Sequence, residues 1–205
     1  MVRVFCWFFL FCLPFVGECA PITEGKDYVV MRSASFPVEN TGVAEVTEFF
    51  SYGCPWCFKL ETPLTQWLVK HQKAVHFTKV PVVFHPEWDY YARAYYIIDT
   101  LSLGKPVQDA LFNAIITDKK PLHSKQAMMA FFKEQGVDTD IVASSFANAP
   151  SIQLRLKTDQ NRMAAFQVRA VPAFVINNRY KTDLQMAQTE AHLFEVLDFL
   201  LKKTQ

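Results

Sequence analysis

The side chains best equipped for chemistry are Cys54 and Cys57, in the run Gly53-Cys54-Pro55-Trp56-Cys57. Two cysteines with two residues between them can bring their α-carbons within the roughly 4.4–6.8 Å that a disulfide spans. The spacing also fits the first turn of a helix. There the first sulfur faces unpaired N–H groups and the positive end of the helix dipole, which favour thiolate over thiol. The second sulfur lies one turn further in, more buried, and keeps its proton longer. The asymmetry makes Cys54 the nucleophile and Cys57 the resolving thiol. A zinc half-site and an inert pair are the alternatives. Zinc asks for about four ligands, and the sequence offers no second CxxC and no paired-histidine motif.

The elements that must position this pair are legible on either side of it. Glu45 to Tyr52 (EVTEFFSY) is β-branched and aromatic, as a buried central strand should be, and it runs directly into the cysteines. Leu60, Leu64, Trp67 and Leu68 then recur at helical spacing, so a helix opens at the pair. Pro55 suits its first turn, where a missing N–H costs nothing, and Pro63 is expected to kink it. Val75 to Phe84 reads as a second strand, parallel to the first through this crossover. Asp27 to Arg32 is a candidate edge strand.

Helical patterns follow over 87–103, 106–118, 124–135, 138–148 and 151–166, divided by glycines and prolines. Strand character returns at Ala173 to Ile176. Asn177-Asn178 signals a hairpin turn, Arg179 to Thr182 the returning strand, and Thr189 a cap for a last helix through Lys202. The order β-β-α-β, helical block, β-β-α predicts an α/β domain with a helical insertion.

Composition narrows the class. Half of the 205 residues are apolar (51%), 20% are charged, and the formal net charge is +1 without a basic or acidic block. No footprint for nucleic acid or an anionic membrane is visible. Arg3, the apolar run Val4 to Val16, and Gly17, Glu18, Cys19 and Ala20 resemble a secretory signal peptide in their order. An uncleaved anchor is the alternative, although Pro14 interrupts a run already short for a membrane span of about 20 residues. Cleavage after Cys19 or Ala20 removes Cys6, Cys12 and Cys19 and leaves Cys54 and Cys57 alone. A loop so short gains little from chain entropy, so the pair is not a structural staple. His71, His76, His85, His123 and His192 carry no motif. Tyr90, Tyr91, Tyr95 and Tyr96 read as core and groove lining.

The stretch Glu48-Phe49-Phe50-Ser51-Tyr52-Gly53-Cys54-Pro55-Trp56-Cys57 resembles the active-site strand and helix of the DsbA family in the thioredoxin superfamily. Arg169-Ala170-Val171-Pro172-Ala173-Phe174 is similar to that family's second signature, in which the bond before proline is cis. Glu24-Gly25-Lys26-Asp27-Tyr28 and the helical block also match, so the resemblance spans almost the whole chain beyond the signal.

The resemblance implies an α/β thioredoxin fold with an inserted all-helical domain: a signal at 1–19, a thioredoxin-like domain at 20–82 and 160–205, and the insertion at 83–159. It implies a thiol:disulfide oxidoreductase that introduces disulfide bonds into exported, newly made cysteine-containing proteins in the bacterial periplasm. Reoxidation would come from a DsbB-like membrane protein. The chain would act as a monomer, with no bound cofactor, metal or nucleic acid. Val171 and Pro172 would lie against the pair and meet substrate together with Pro55 and Trp56. Glu48 would be a buried acid that exchanges a proton with Cys57, and Lys79 its partner; alone, both would read as solvated strand residues. The family's best-known members carry histidine where this chain has Trp56. Without a histidinium beside it the Cys54 thiolate is less stabilised, so a less oxidising pair is expected. A disulfide isomerase or reductase, and a non-enzymatic chaperone, are the competing readings.

Overall fold

The computed structural model describes residues 21–31 and 42–204, without the side chains of 147 and 148. The signal expected at 1–19 lies outside the described residues.

The centre of the fold is β2 (Ala44–Phe50), every residue of which except Glu45 is buried. It pairs in parallel with β3 (Val75–Pro81) and antiparallel with β4 (Ala173–Ile176). β4 pairs with β5 (Tyr180–Asp183), and β5 with the two-residue β1 (Val29–Val30), giving the sheet order β1-β5-β4-β2-β3. Asn177 and Asn178 have φ of 48° and 52°, the paired left-handed conformation that a tight hairpin turn requires and asparagine tolerates.

The period-two alternation of β2 sorts its side chains. Val46 packs on one face with Leu60, Leu64 and Trp67 of α1 (Pro55–His71) and Leu193, Val196, Leu197 and Leu200 of α8 (Glu190–Lys203). Phe49 points to the other face, against Val80, Phe166 and Val175. Glu48 shares the face of Val46 by the same alternation. α1 continues unbroken through Pro63.

Between β3 and β4 the chain builds α2 (Trp88–Thr100), α3 (Gly104–Phe112), α4 (Lys125–Glu134), α5 (Thr139–Asn148) and α6 (Pro150–Ala165). A π-helical turn at Asn113–Thr117 extends α3 to where the sequence pattern ended it. One short element escaped the pattern: α7 (Leu184–Ala187), capped by Asp183, whose carboxylate accepts from Met186 N–H at 2.8 Å. β1 is shorter than its predicted span, and Arg32 lies outside the described residues. β2 ends two residues earlier than expected, because Ser51 turns the chain. Its carbonyl accepts from Cys54 N–H at 3.0 Å and its hydroxyl from Gly53 N–H at 3.1 Å.

The helical block and the sheet meet around the cysteines. Phe50, Tyr52, Cys54 and Cys57 share one core cluster with Tyr91, Phe112 and Met128. Tyr52 and Phe112 are 4.6 Å apart, ring to ring, at 64°. Gly53 is pressed against Trp88: a methyl group there would fall 2.9 Å from Trp88 Cε2 and nearer still to Nε1. Gly53→Ala must therefore displace the indole or the turn, an overpacking cost of roughly 1–3 kcal/mol. Urea unfolding should show that loss; an unchanged midpoint would mean that the two elements are not in contact.

Candidate active site

Cys54 is the N-cap of α1, with φ −97° and ψ 111°, and Pro55 occupies the first helical position. A capping residue lends its side chain to the unpaired N–H groups of the first turn. Here the cap is a sulfur: Cys57 N–H donates to Cys54 Sγ at 3.2 Å. The thiol of Cys57 and this N–H hold the Cys54 thiol below its ordinary pKa, against burial and the negative charge of Glu48. Cys57 is fully buried, and burial first, then the bond to Cys54, pushes its thiol well above the usual range. The asymmetry expected from the spacing is present.

The Val171-Pro172 peptide bond is cis, and Cys54 Sγ lies 3.4 Å from the Val171 carbonyl oxygen. The two sequence signatures, 117 residues apart, are thus one site. Trp56 remains 52% exposed beside it. A groove of about 480 Å³ leads from Trp56, Val171 and Pro172 toward α7 and the start of α8.

Beneath the pair, Glu48 is fully buried and stands opposite Lys79 in the parallel register of β2 and β3. Lys79 Nζ is 3.4 Å from Glu48 Oε2, and neither carboxylate oxygen of Glu48 has a hydrogen-bond partner. Burial outweighs the attraction of Lys79, with Glu61 adding repulsion, and lifts the Glu48 carboxyl to about 7. Lys79 also pairs with Glu61 of α1, a residue the sequence reading passed over. Its signal was present: Cys57, Glu61 and Leu64 follow the i, i+4, i+7 line of the buried stripe, where a carboxylate needs a partner. Both carboxylates raise the ammonium of Lys79 despite its burial. Glu61 and Lys79 border a second cavity of about 670 Å³, on the side of β3 where Tyr95, Tyr96 and α6 close it.

Two of the motif-free histidines are hydrogen-bonded to carboxylates, His76 to Glu45 at 2.9 Å and His192 to Asp27 at 3.1 Å, whereas His71 Nε2 lies 2.9 Å from Asp198 without hydrogen-bond geometry. Tyr91, Tyr95 and Tyr96 are buried in the helical core, as their spacing suggested.

A family model described as the DSBA-like thioredoxin domain matches residues 45–195. The chain belongs to the DSBA-like thioredoxin domain family. It is similar to the thiol:disulfide interchange protein DsbA of Pseudomonas syringae pv. tomato, with 34% identity over 185 residues that cover 89% of this chain and 85% of the relative. The protein of the same description from Burkholderia cepacia is 32% identical over 182 residues, covering 89% and 85%. Among solved structures, Pseudomonas aeruginosa DsbA superimposes with a TM-score of 0.81 at 30% identity, covering 88% of this chain and 93% of that one. DsbA from Xylella fastidiosa gives 0.76 at 29%, covering 89% and 97%. The DsbA-like thioredoxin fold expected from the sequence is therefore the fold observed.

The buried acid has a measurable signature. Glu48 binds its proton more tightly in the folded chain (about 7) than the ordinary value of 4.5 allows. A raised carboxyl of this kind favours folding below the unfolded value, and that contribution is lost as pH rises through about 7. Relative to Glu48→Gln, the wild type should lose roughly 3 kcal/mol of stability between pH 4 and pH 8. A difference between the two proteins that stays flat across that window would refute a buried acid in this state.

Proposed function

We propose that this protein is a thiol:disulfide oxidoreductase that introduces disulfide bonds into exported proteins through the Cys54–Cys57 pair. The observation that carries the reading is the placement of the pair: Cys54 Sγ caps the helix, 3.2 Å from the Cys57 N–H and 3.4 Å from the Val171 carbonyl oxygen, with Cys57 fully buried one turn further in. In the disulfide form, a substrate thiolate attacks Cys54 Sγ. The Cys54–Cys57 bond breaks, and Cys57 leaves with the electron pair and takes a proton. The substrate's second thiolate then attacks its own sulfur in the mixed disulfide, and Cys54 leaves as a thiolate held by the Cys57 N–H. Two electrons have passed from substrate to protein. The substrate leaves with its new bond.

Glu48 is the proton donor to Cys57 in that direction and the acceptor when Cys57 attacks; a carboxyl near 7 suits both. Lys79 and Glu61 connect it to the 670 Å³ cavity, where water has access. Pro172, Val171, Pro55 and Trp56 form the surface around Cys54 on which a substrate lies. No bound cofactor is required for the exchange. The electrons are removed by a DsbB-like membrane protein.

The sequence at 1–19 supports export to the bacterial periplasm, where the substrates are newly exported, unfolded cysteine-containing chains. The unit that acts there is a monomer, with a thioredoxin-like domain at 20–82 and 160–205 and a helical insertion at 83–159.

A reduced, unfolded ribonuclease with several disulfides distinguishes the readings. Stoichiometric oxidised protein should form disulfides in it, with equivalent reduction of the Cys54–Cys57 pair, and Cys54→Ser should leave only the background rate. If the reduced ribonuclease stays reduced while a scrambled one is reactivated by the dithiol form, the protein is an isomerase. Suppression of aggregation that survives Cys54→Ser, without any disulfide formation, would mark a chaperone.

A further inference from the structure

The groove beside the pair differs in charge from the molecule as a whole. The chain carries a formal +1. Yet among the described residues the charged side chains lining the groove are two carboxylates, Asp183 and Glu190, with neither Lys nor Arg between them. The rest of the wall is neutral, with Trp56, Val171, Pro172 and Leu184 as its apolar part. Asp183 is fixed as the cap of α7, and Glu190 stands in the first turn of α8. Three cations border the groove without lining it: Arg169, exposed beside Ala170, Lys181, which feels the charges of both Asp183 and Arg169, and Lys59. Lys59 Nζ stacks 4.6 Å over the Trp56 ring, and Lys181 Nζ donates to the Gln167 carbonyl at 2.9 Å.

We propose that this groove selects cysteine-bearing segments with a lysine or arginine a few residues from the reacting cysteine, and that Asp183 and Glu190 are the selecting residues. The inference rests on the oxidoreductase reading of the pair and names its substrate class. A segment whose sulfur reaches Cys54 Sγ lies against Val171, because that sulfur is 3.4 Å from the Val171 carbonyl. The groove begins at the same residue and at Trp56. One continuation of the segment therefore passes over the indole and pyrrolidine faces toward α7 and α8. There a basic side chain can lay its methylene stem along Leu184 and Trp56 and bring its charge to the carboxylates. An acidic side chain in the same place meets two like charges. Charge of this kind acts mainly on encounter and register, so it should be read as a rate.

The test uses three reduced peptides that differ in one residue near a single cysteine pair: lysine, glutamine or glutamate. The full chain in its disulfide form is mixed with each, and its reduction is followed by stopped-flow tryptophan fluorescence. Each rate is divided by the rate of the same peptide with an uncharged disulfide, hydroxyethyl disulfide, which removes the effect of the neighbouring charge on the peptide's own thiol. The lysine peptide should exceed the glutamate peptide by roughly three- to tenfold, the size two exposed ion pairs can supply. That ratio should shrink between about 0.1 and 1 M salt, as the screening length falls from about 10 to 3 Å. In Asp183→Asn/Glu190→Gln it should approach one; asparagine still caps α7. The single Glu190→Gln, which touches no cap, should show an intermediate ratio and guards against misfolding of the double variant.

A ratio near one in the wild type, a ratio insensitive to salt, or one unchanged in both variants overturns the proposal while the oxidoreductase reading stands. If no peptide is oxidised at all, the oxidoreductase reading fails and the proposal falls with it.

Discussion

A sulfur at a helix cap is the interaction on which the remaining architecture depends. Ser, Thr, Asp and Asn usually fill that position, each presenting an oxygen to the first free N–H groups. Cys54 presents a sulfur instead, and the same N–H that would stabilise a capping oxygen stabilises a thiolate. For this to work the strand must deliver Cys54 to the cap and nowhere else. Phe50 anchors the end of β2 in the core, Ser51 closes the turn through two hydrogen bonds, and Pro55 starts the helix without an unmet donor. Trp88 seals the turn at Gly53, where no side chain fits. Four residues separate the end of a buried strand from the start of a helix, and Ser51 holds the turn between them through its carbonyl and its hydroxyl.

The second constraint works in the opposite sense. A carboxyl enclosed beneath the pair costs several kcal/mol if it is charged. Lys79 offsets part of that cost, and the position of Glu48 near 7 shows that desolvation still wins. Glu61 keeps the ammonium charged by sharing it. Charge at Glu48 also raises both thiols, so its protonation favours the Cys54 thiolate. The buried acid lowers stability near neutral pH, and it keeps a proton within the field of Cys57. Such a group is better understood through the reaction than through the fold.

How much of this the sequence revealed follows from what each signal depends on. β2, the turn and α1 were legible because local rules agree there: a buried β-branched run, a glycine, Pro55 and a helical stripe. The hairpin at Asn177-Asn178 was legible because two asparagines in tandem tolerate left-handed backbone. The strand order was not in any periodicity and is seen only in the folded sheet, whereas the contact of Cys54 with Val171 entered through the family resemblance. Glu61 was missed because an acid on a helix reads as solvated until its stripe is seen to be buried. α7 was missed because four residues carry no period, although Asp183 gave a capping signal. Glu48 and Lys79 were ambiguous from sequence alone, since only the register of β2 against β3 places them opposite each other.

The most direct measurement is the equilibrium of the Cys54–Cys57 pair against a glutathione redox buffer, followed by tryptophan fluorescence. Stabilising the Cys54 thiolate stabilises the dithiol, which makes the disulfide a stronger oxidant. A potential at the oxidising end of the superfamily range, about −120 to −160 mV, is the expected result. A value near about −250 mV, close to that of thioredoxin, would contradict it. The helix cap would then not stabilise the thiolate enough to drive disulfide formation, and the pair would serve reduction or isomerisation instead.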